Sequence, residues 1–504
     1  MKYKFKISSR GAISFFAVLK RPVLFIAHIL KNISTSYNLM TKKERIFMIS
    51  LFFIAISLSS FKFYQSYLAK TVSAPADGGT YTEAMVGEVK YINPILAQTD
   101  AEKSVSDLMF PGLIKVSADG TIVPDMAEKY DISPDGRKYT FYLKQNIKFT
   151  DNSQFTAQDV AYTIDSIKTP ELKSPLNKKW IEVQVSVVDQ YTLAMELPNA
   201  YGPFIYNCNF GILPAAISSG DFSKKPVGAG VFEFVKVIKK ADKITEVRLK
   251  RNENYFGAKA LIENANIRIY PEKTTASDIF KNDKNVDGLF GESSSTGNKY
   301  DFLSSRRLGL ILNARSEKLA DKTVRQKILE SQRFDDGLKI GLTTLDIPLQ
   351  REKAEELKKN FEALNIQLEI FYFNAVKLQD VLAAKNYDLL LYGFDFGYDR
   401  DPYTFWHSSQ LNDQNFAGWS DKNSDILLED ARMLTDTAVR NAKYDQFFDL
   451  IRKEYLVQFY PPISYNFRVK DRIKGIGTIS GTQPYSRYDD ISQWYVREKR
   501  VKKN

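Results

Sequence analysis

The sequence predicts an α/β protein preceded by an N-terminal transmembrane helix, and three observations carry that expectation. Residues 338–392 read as the strand Leu338–Thr343, an amphipathic helix Arg351–Leu364, an alternating strand Ile366–Phe371, a second helix Val376–Lys385 and a continuous apolar strand Tyr387–Tyr392. Ala354, Leu357, Phe361 and Leu364 recur at helical spacing on one face of the first helix, and this β-α-β rhythm belongs to a lobe with a largely parallel sheet. The second observation is the run Ser133-Pro134-Asp135-Gly136, a turn followed by the strand Arg137–Leu143 and then a helix capped by Thr156 with Asp159 in its first turn. Leu193–Leu197 and Lys243–Arg251 add further strands. The third is Ile46–Phe61, uncharged for 16 residues.

Sixteen helical residues span only about 24 Å, whereas about 20 residues are needed to cross the hydrocarbon core. The crossing therefore runs over 46–68, with Lys62 snorkelling to the interface. Lys42, Lys43 and Arg45 precede it, which predicts that residues 1–45 form a cytoplasmic basic arm and that everything after about residue 70 lies outside the cell. An arm this long, and Pro75 just after Val72-Ser73-Ala74, argue for an uncleaved anchor. Within the arm, Gly11–Lys31 reads as an amphipathic stretch on the inner leaflet. Residues 69–77 read as a short polar linker, and the basic tail Arg497–Asn504 as a frayed end.

The net charge of +11 suggests a nucleic-acid binder until its distribution is considered. Residues 1–73 hold 12 Lys/Arg and one acid, leaving 59 basic and 59 acidic residues in the rest of the chain. The outer part has no excess field for a polyanion, so no nucleic-acid partner is expected. The lone Cys208 cannot form an internal disulfide and reads as a small buried residue. His28 and His407 are the only histidines, which excludes a multi-His metal site, and no Gly-x-Ser-x-Gly elbow or phosphate loop appears. Neither an enzyme nor a cofactor or metal is expected. His407 reads as a packed, hydrogen-bonded residue.

The run Ser133–Leu143, Lys148–Asp151 and Phe155–Val160 resembles the "SPDGxxYTFxL…FxD…FTAxDV" block of family 5 solute-binding proteins of ABC importers, the oligopeptide, dipeptide and nickel receptors. Further blocks follow in the same order from about Gly78 to about Asp490: Gly78–Tyr81, Tyr91–Pro94, Leu108–Pro124, Val227–Phe232, Leu249–Gly257, Asn313–Gln326 and Asp401–Phe405. The resemblance implies a two-lobed, periplasmic-binding-protein-like fold of type II. Lobe I would comprise 78–105, 190–310 and 470–504, a small inserted domain 106–189, and lobe II 311–469. After Ser331 the chain passes almost directly into the strand at Leu338, so lobe II is shortened relative to the family pattern, which could open one end of the cleft or alter permease docking.

The same resemblance implies a monomeric extracytoplasmic receptor that captures an oligopeptide between its lobes and delivers it to ABC permease subunits. A receptor for a sugar, an opine or a metal chelate, or a degenerate scaffold or sensor domain, are the alternatives. In peptide receptors of this family the loop corresponding to Gly393–Pro402 carries an aspartate that pairs with the ligand's ammonium; the match points to Asp399 first and Asp395 second. A competing reading makes the loop carboxylates turn caps, which fits Asp401 best and competes for Asp399. Val86, Gly87 and Glu88 are expected on the opposite wall, with Tyr81, Phe394, Trp406 and Trp419 as possible apolar walls, although aromatics are 13% of the chain and most must be buried.

Overall fold

The computed structural model describes residues 40–117, 120–217 and 226–503. The arm's residues 1–39, with Gly11–Lys31 and His28, lie outside them. Two compact units result: residues up to Ala74 together with Glu498 onward, and Pro75–Arg497.

The first unit is built on the helix Lys42–Lys70, 29 residues long and without a buried side chain. Thr41 and Glu44 cap its start reciprocally, the Glu44 carboxylate accepting from the Thr41 amide at 2.8 Å. By length and composition this helix is able to cross a membrane, and it contains the whole expected span 46–68. The expected linker and frayed tail are corrected here. Thr71–Ala76 is a strand, paired with the strand Arg497–Lys502. Arg500 is the physical reason: its guanidinium reaches the Thr71 carbonyl (2.9 Å), the Thr71 hydroxyl (2.8 Å) and the Leu68 carbonyl (3.2 Å) at the helix end.

The second unit contains three principal sheets. In the seven-stranded sheet, Thr80–Val86 runs parallel to Asn264–Tyr270 on one side and Gly288–Phe290 on the other. Its interior residues are buried on both faces, as a central strand requires. Lys243–Arg251 is a strand over the expected residues, paired with Asn264–Tyr270. The five-stranded sheet has the order Ile366–Phe373, Leu338–Leu345, Leu389–Asp395, Phe302–Leu312, Val457–Tyr465. Its first three strands are parallel and joined through the helices Pro348–Glu362 and Ala375–Ala384. Ala354, Leu357 and Phe361 form the buried stripe of the first helix.

The four-stranded antiparallel sheet joins Ala127–Ile132, Lys138–Leu143, Thr192–Glu196 and Gln184–Asp189. Gly136 takes the left-handed φ of 67° that its turn needs. The helix Ala157–Lys168 begins at Thr156, whose amide donates to Asp159 at 2.7 Å. Thr192–Glu196 belongs to this sheet because a tight turn folds it back on Gln184–Asp189, so the sheet continues past the boundary expected at 189/190. The boundary at 310/311 falls inside the strand Phe302–Leu312, and Phe467–Val469 lies in the seven-stranded sheet.

The four- and seven-stranded sheets share one core, whereas the five-stranded sheet has a separate core on each face. The chain passes between the seven- and five-stranded sheets at Asp301/Phe302 and again at Tyr465/Phe467. The two crossings are neighbours: Phe302 pairs with Tyr465, and Asp301 accepts from the Phe467 amide at 3.0 Å and from Arg468. Two adjacent crossings form a hinge.

Candidate functional site

A cavity of 470 Å³ lies where these parts meet. The helix Asp100–Asp107 contributes Lys103 and Asp107, one turn apart on the same face. The short helix Asn177–Trp180 adds Lys179, and the segment after Pro203 adds Tyr206 and Asn209. From the five-stranded side comes the loop 395–401. Asp100 at the start of the first helix is held by Arg306 of the five-stranded sheet at 2.5 and 3.1 Å, so one ion pair spans the mouth of the hinge.

Asp107 is the unusual group. It ends its helix, where the dipole disfavours a negative charge. Among the described residues its carboxylate has no hydrogen-bond or ion-pair partner, and it is open to the cavity. Loss of solvation within the cavity, opposed by the nearby Lys115 and reinforced by Asp125, pushes its pKa up to about 7. Lys179 is likewise lined up on the cavity without a side-chain partner among the described residues. Its pKa is lowered by desolvation, with Asp395 pulling it back and Lys103 pushing further down. The cavity is thus lined by the Asp107 carboxylate, by Lys115, which pairs with Asp125 at 3.4 Å, and by the ammonium groups of Lys103 and Lys179.

The loop carboxylates are distinguished by their partners. Asp399 is buried and held by Arg440, whose Nε and Nη2 lie 2.7 and 2.5 Å from Oδ1; the Tyr444 hydroxyl donates to Oδ2 at 3.2 Å. Burial pushes the Asp399 carboxyl up to about 6 against the pull of Arg440. Asp401 accepts from Arg432 (2.9 Å), the Tyr201 hydroxyl (3.3 Å) and the Tyr403 amide (3.0 Å), the last a cap on the next helix. Asp395 is half exposed; burial opposes its charge, but Ser305 (2.6 Å), the Gly397 amide (3.0 Å) and Arg306 hold its carboxyl below the ordinary range.

The model of the bacterial extracellular solute-binding proteins, family 5 (middle) matches residues 121–328. The chain is similar to that family over those residues. The oligopeptide-binding protein AppA of Bacillus subtilis is 21% identical over 83% of this chain and 94% of its own length. The crystal structure of the ABC transporter substrate-binding protein CtaP of Listeria monocytogenes superposes with a TM-score of 0.71 at 20% identity, covering 83% of this chain and all but 1% of that one. That of AppA from Bacillus subtilis in complex with a nonapeptide gives 0.63 at 17% identity, covering 84% of this chain and 100% of the other. These likenesses establish the two-lobed α/β fold.

Of the residues expected to contact a ligand, Asp395 and Asp399 line the cavity, as does the capping Asp401, but the others do not. Tyr81 is fully buried, edge-on to Trp494, with its hydroxyl donating to Glu83 at 2.7 Å. Phe394 and Trp406 are core residues, and Trp419 packs against the same core. Val86 and Gly87 end the central strand, and Glu88 points to Lys243 at 3.6 Å. Asp107, Lys103 and Lys179 escaped sequence reasoning. The one local signal was an acid at a helix C-terminus. Cys208 is buried, and His407 bonds Ser409 and Glu429 while stacking on Tyr403.

Proposed function

We propose that this protein is a membrane-anchored extracytoplasmic receptor that captures short peptides in the 470 Å³ cavity and delivers them to an ABC permease. The observation that carries the reading is the uncompensated Asp107 carboxylate facing a cavity that also holds Lys103 and Lys179. A zwitterion supplies both missing charges, and charge-assisted hydrogen bonds of that kind fix a ligand's direction. The volume suits a small solute. The relatives' names, oligopeptide-, dipeptide- and di/tripeptide-binding proteins, support the same class.

In this reading Asp107 receives the α-ammonium and Asp395 is the second acidic contact. Asp399 acts through Arg440 as a positioning residue for the loop. The seven- and four-stranded sheets form the lobe I side and the five-stranded sheet lobe II. Closure about the crossings at 301/302 and 465/467 brings the Asp100–Arg306 pair together, and ligand contacts made only when closed shift the equilibrium toward the form a permease recognises. The helix Lys42–Lys70 tethers the receptor with the arm, residues 1–45, inside the cell, which keeps a monomeric receptor at high effective concentration near its transporter. Thermal-shift screening of the full chain in detergent tests the reading: a ligand at a hundredfold excess over its Kd stabilises the folded state by about 2.7 kcal/mol. Short peptides are expected to raise the melting temperature; a screen in which sugars or metal chelates do so and peptides never do overturns the peptide reading.

A further inference from the structure

The C-terminal end of the helix Lys42–Lys70 carries a positive charge that the order of the chain conceals. Tyr64 and Tyr67 stand exposed on its last two turns, at 56% and 43%, and tyrosine is a ring that collects at the headgroup level of a bilayer. Thr71, where the following strand begins, lies four residues past Tyr67, about 6 Å along a helix axis. The headgroup layer of one leaflet is about 5–7 Å deep. With the helix across the membrane, the start of the strand pair Thr71–Ala76 and Arg497–Lys502 is therefore at the headgroups.

The C-terminal strand is fastened at that level. The Lys503 amide donates to the Lys70 carbonyl at 2.9 Å, the Ser73 hydroxyl donates to Glu498 at 2.5 Å, and the Arg500 guanidinium, besides its bonds to Leu68 and Thr71, lies 5.8 Å from the Tyr67 ring. Arg500 already serves the last carbonyls of the helix and its dipole. Lys70, Lys499, Lys502 and Lys503 are surplus to that task. All four are exposed, and none has a side-chain hydrogen-bond or ion-pair partner among the described residues. Glu498 is the one acid of the strand pair, and Ser73 occupies it. Alternation places Lys499 and Lys503 on one face of the strand and Lys502 on the other, and stems of four carbons let each ammonium reach a headgroup from where it stands. These lysines come from the far end of the chain; Arg500 is 429 residues from the threonine it binds. They therefore do not enter the count of charges near the span that sets its orientation.

We propose that this strand pair is a docking surface for anionic phospholipid headgroups of the outer leaflet, with Lys70, Lys499, Lys502 and Lys503 bound to headgroup phosphates so that the C-terminal strand is held on the membrane. The proposal rests on the anchor reading and is independent of which solute the cavity takes. A basic residue beside an anionic surface gains about fivefold in binding. The test uses the full chain reconstituted in nanodiscs of phosphatidylcholine alone or with about 30% phosphatidylglycerol, acetylated with acetic anhydride and read residue by residue by mass spectrometry. Lys499, Lys502 and Lys503 should react about fivefold more slowly in the anionic discs, and 0.5 M salt should remove the difference by screening. Lys359, exposed on the helix Pro348–Glu362, should react alike in both. Amide exchange of residues 498–503 should be slower in anionic than in neutral discs for the wild type and the same in both for the triple variant Lys499→Gln, Lys502→Gln, Lys503→Gln, whose exposed positions leave the melting temperature unchanged. Equal reactivity of the three lysines in both discs overturns the docking surface and leaves the anchor standing. Slowing of Lys359 to the same extent marks a general effect of the charged bilayer and also overturns the docking surface. A chain that fails to co-elute with discs of either composition overturns the anchor and the docking surface together.

Discussion

Asp399→Asn is expected to destabilise the protein rather than to alter its choice of ligand. The Arg440 side chain is 1% exposed and Asp399 7%, so the substitution leaves a guanidinium buried beside a neutral amide. Breaking a buried pair from one side costs about 3–5 kcal/mol. Arg440 keeps its bonds to the Leu434 carbonyl at 2.7 Å and the Thr435 carbonyl at 3.3 Å, which favours the lower end of that range. A unit spanning Pro75–Arg497 loses roughly 0.9 kcal/mol of stability per degree near its midpoint. The melting temperature should therefore fall by about 3–6 °C. Arg440→Met should cost a similar amount, and the double variant less than the two singles together, because the second change removes the orphan the first creates. Differential scanning calorimetry measures all three, and titration with a peptide and its N-acetyl form measures selectivity. Wild-type melting of Asp399→Asn together with loss of discrimination between the two peptides would refute the structural role and return Asp399 to the ligand.

Three further outcomes follow from other parts of the molecule. Asp107 and Asp489 line cavities whose loss of solvation raises their carboxyls to about 7, so the folded state favours their neutral forms; unliganded stability should fall as pH rises from about 4 toward 7, and Asp107→Asn should flatten the melting-temperature profile over that window. Gly202 donates to the Arg432 carbonyl at 2.7 Å, and a Cβ there would lie 1.8 Å from the Leu434 carbonyl oxygen, so Gly202→Ala should separate the two sides, enlarge the radius of gyration in small-angle scattering and weaken peptide binding by about tenfold or more; unchanged scattering and affinity would remove this contact from the closed state. Protease added to spheroplasts should digest the chain beyond residue 74 and spare a tag at Met1, whereas release of a soluble protein beginning near Ala74 would contradict the anchor.

Local pattern carried the elements well. The strand Lys243–Arg251, the helix start at Thr156 and the parallel series from Leu338 to Asp395 were legible because periodicity and capping chemistry are properties of neighbouring residues. The site was not, because its charges meet only through the tertiary fold. Asp399 follows a buried strand, as a ligand carboxylate does, but Arg440, which neutralises it, lies 41 residues further on. Asp107 gave only the weak sign of an acid at a helix end, and Lys179 reaches the same cavity from a four-residue helix with no periodicity to read. The tail was misjudged for a related reason: Arg500 and its neighbours look like a solvated basic end until their partner, the helix terminus at Leu68–Thr71, is seen.

The central claim, that the cavity receives a peptide amine on Asp107, is tested most directly by calorimetric titration of the full chain and of Asp107→Asn with trialanine and its N-acetyl form between pH 5.5 and 8. Only the ionised carboxylate pairs with an ammonium, and a carboxyl near 7 is about 3% ionised at pH 5.5 and about 90% at pH 8. Affinity of the wild type for trialanine should rise about twentyfold to a maximum near pH 7.5, above which the peptide's own amine, with a pKa of about 8, loses its proton. N-acetyltrialanine should bind weakly and without that rise, and Asp107→Asn should treat the two ligands alike at every pH. Trialanine binding that is independent of pH and equal in wild type and Asp107→Asn would contradict the account.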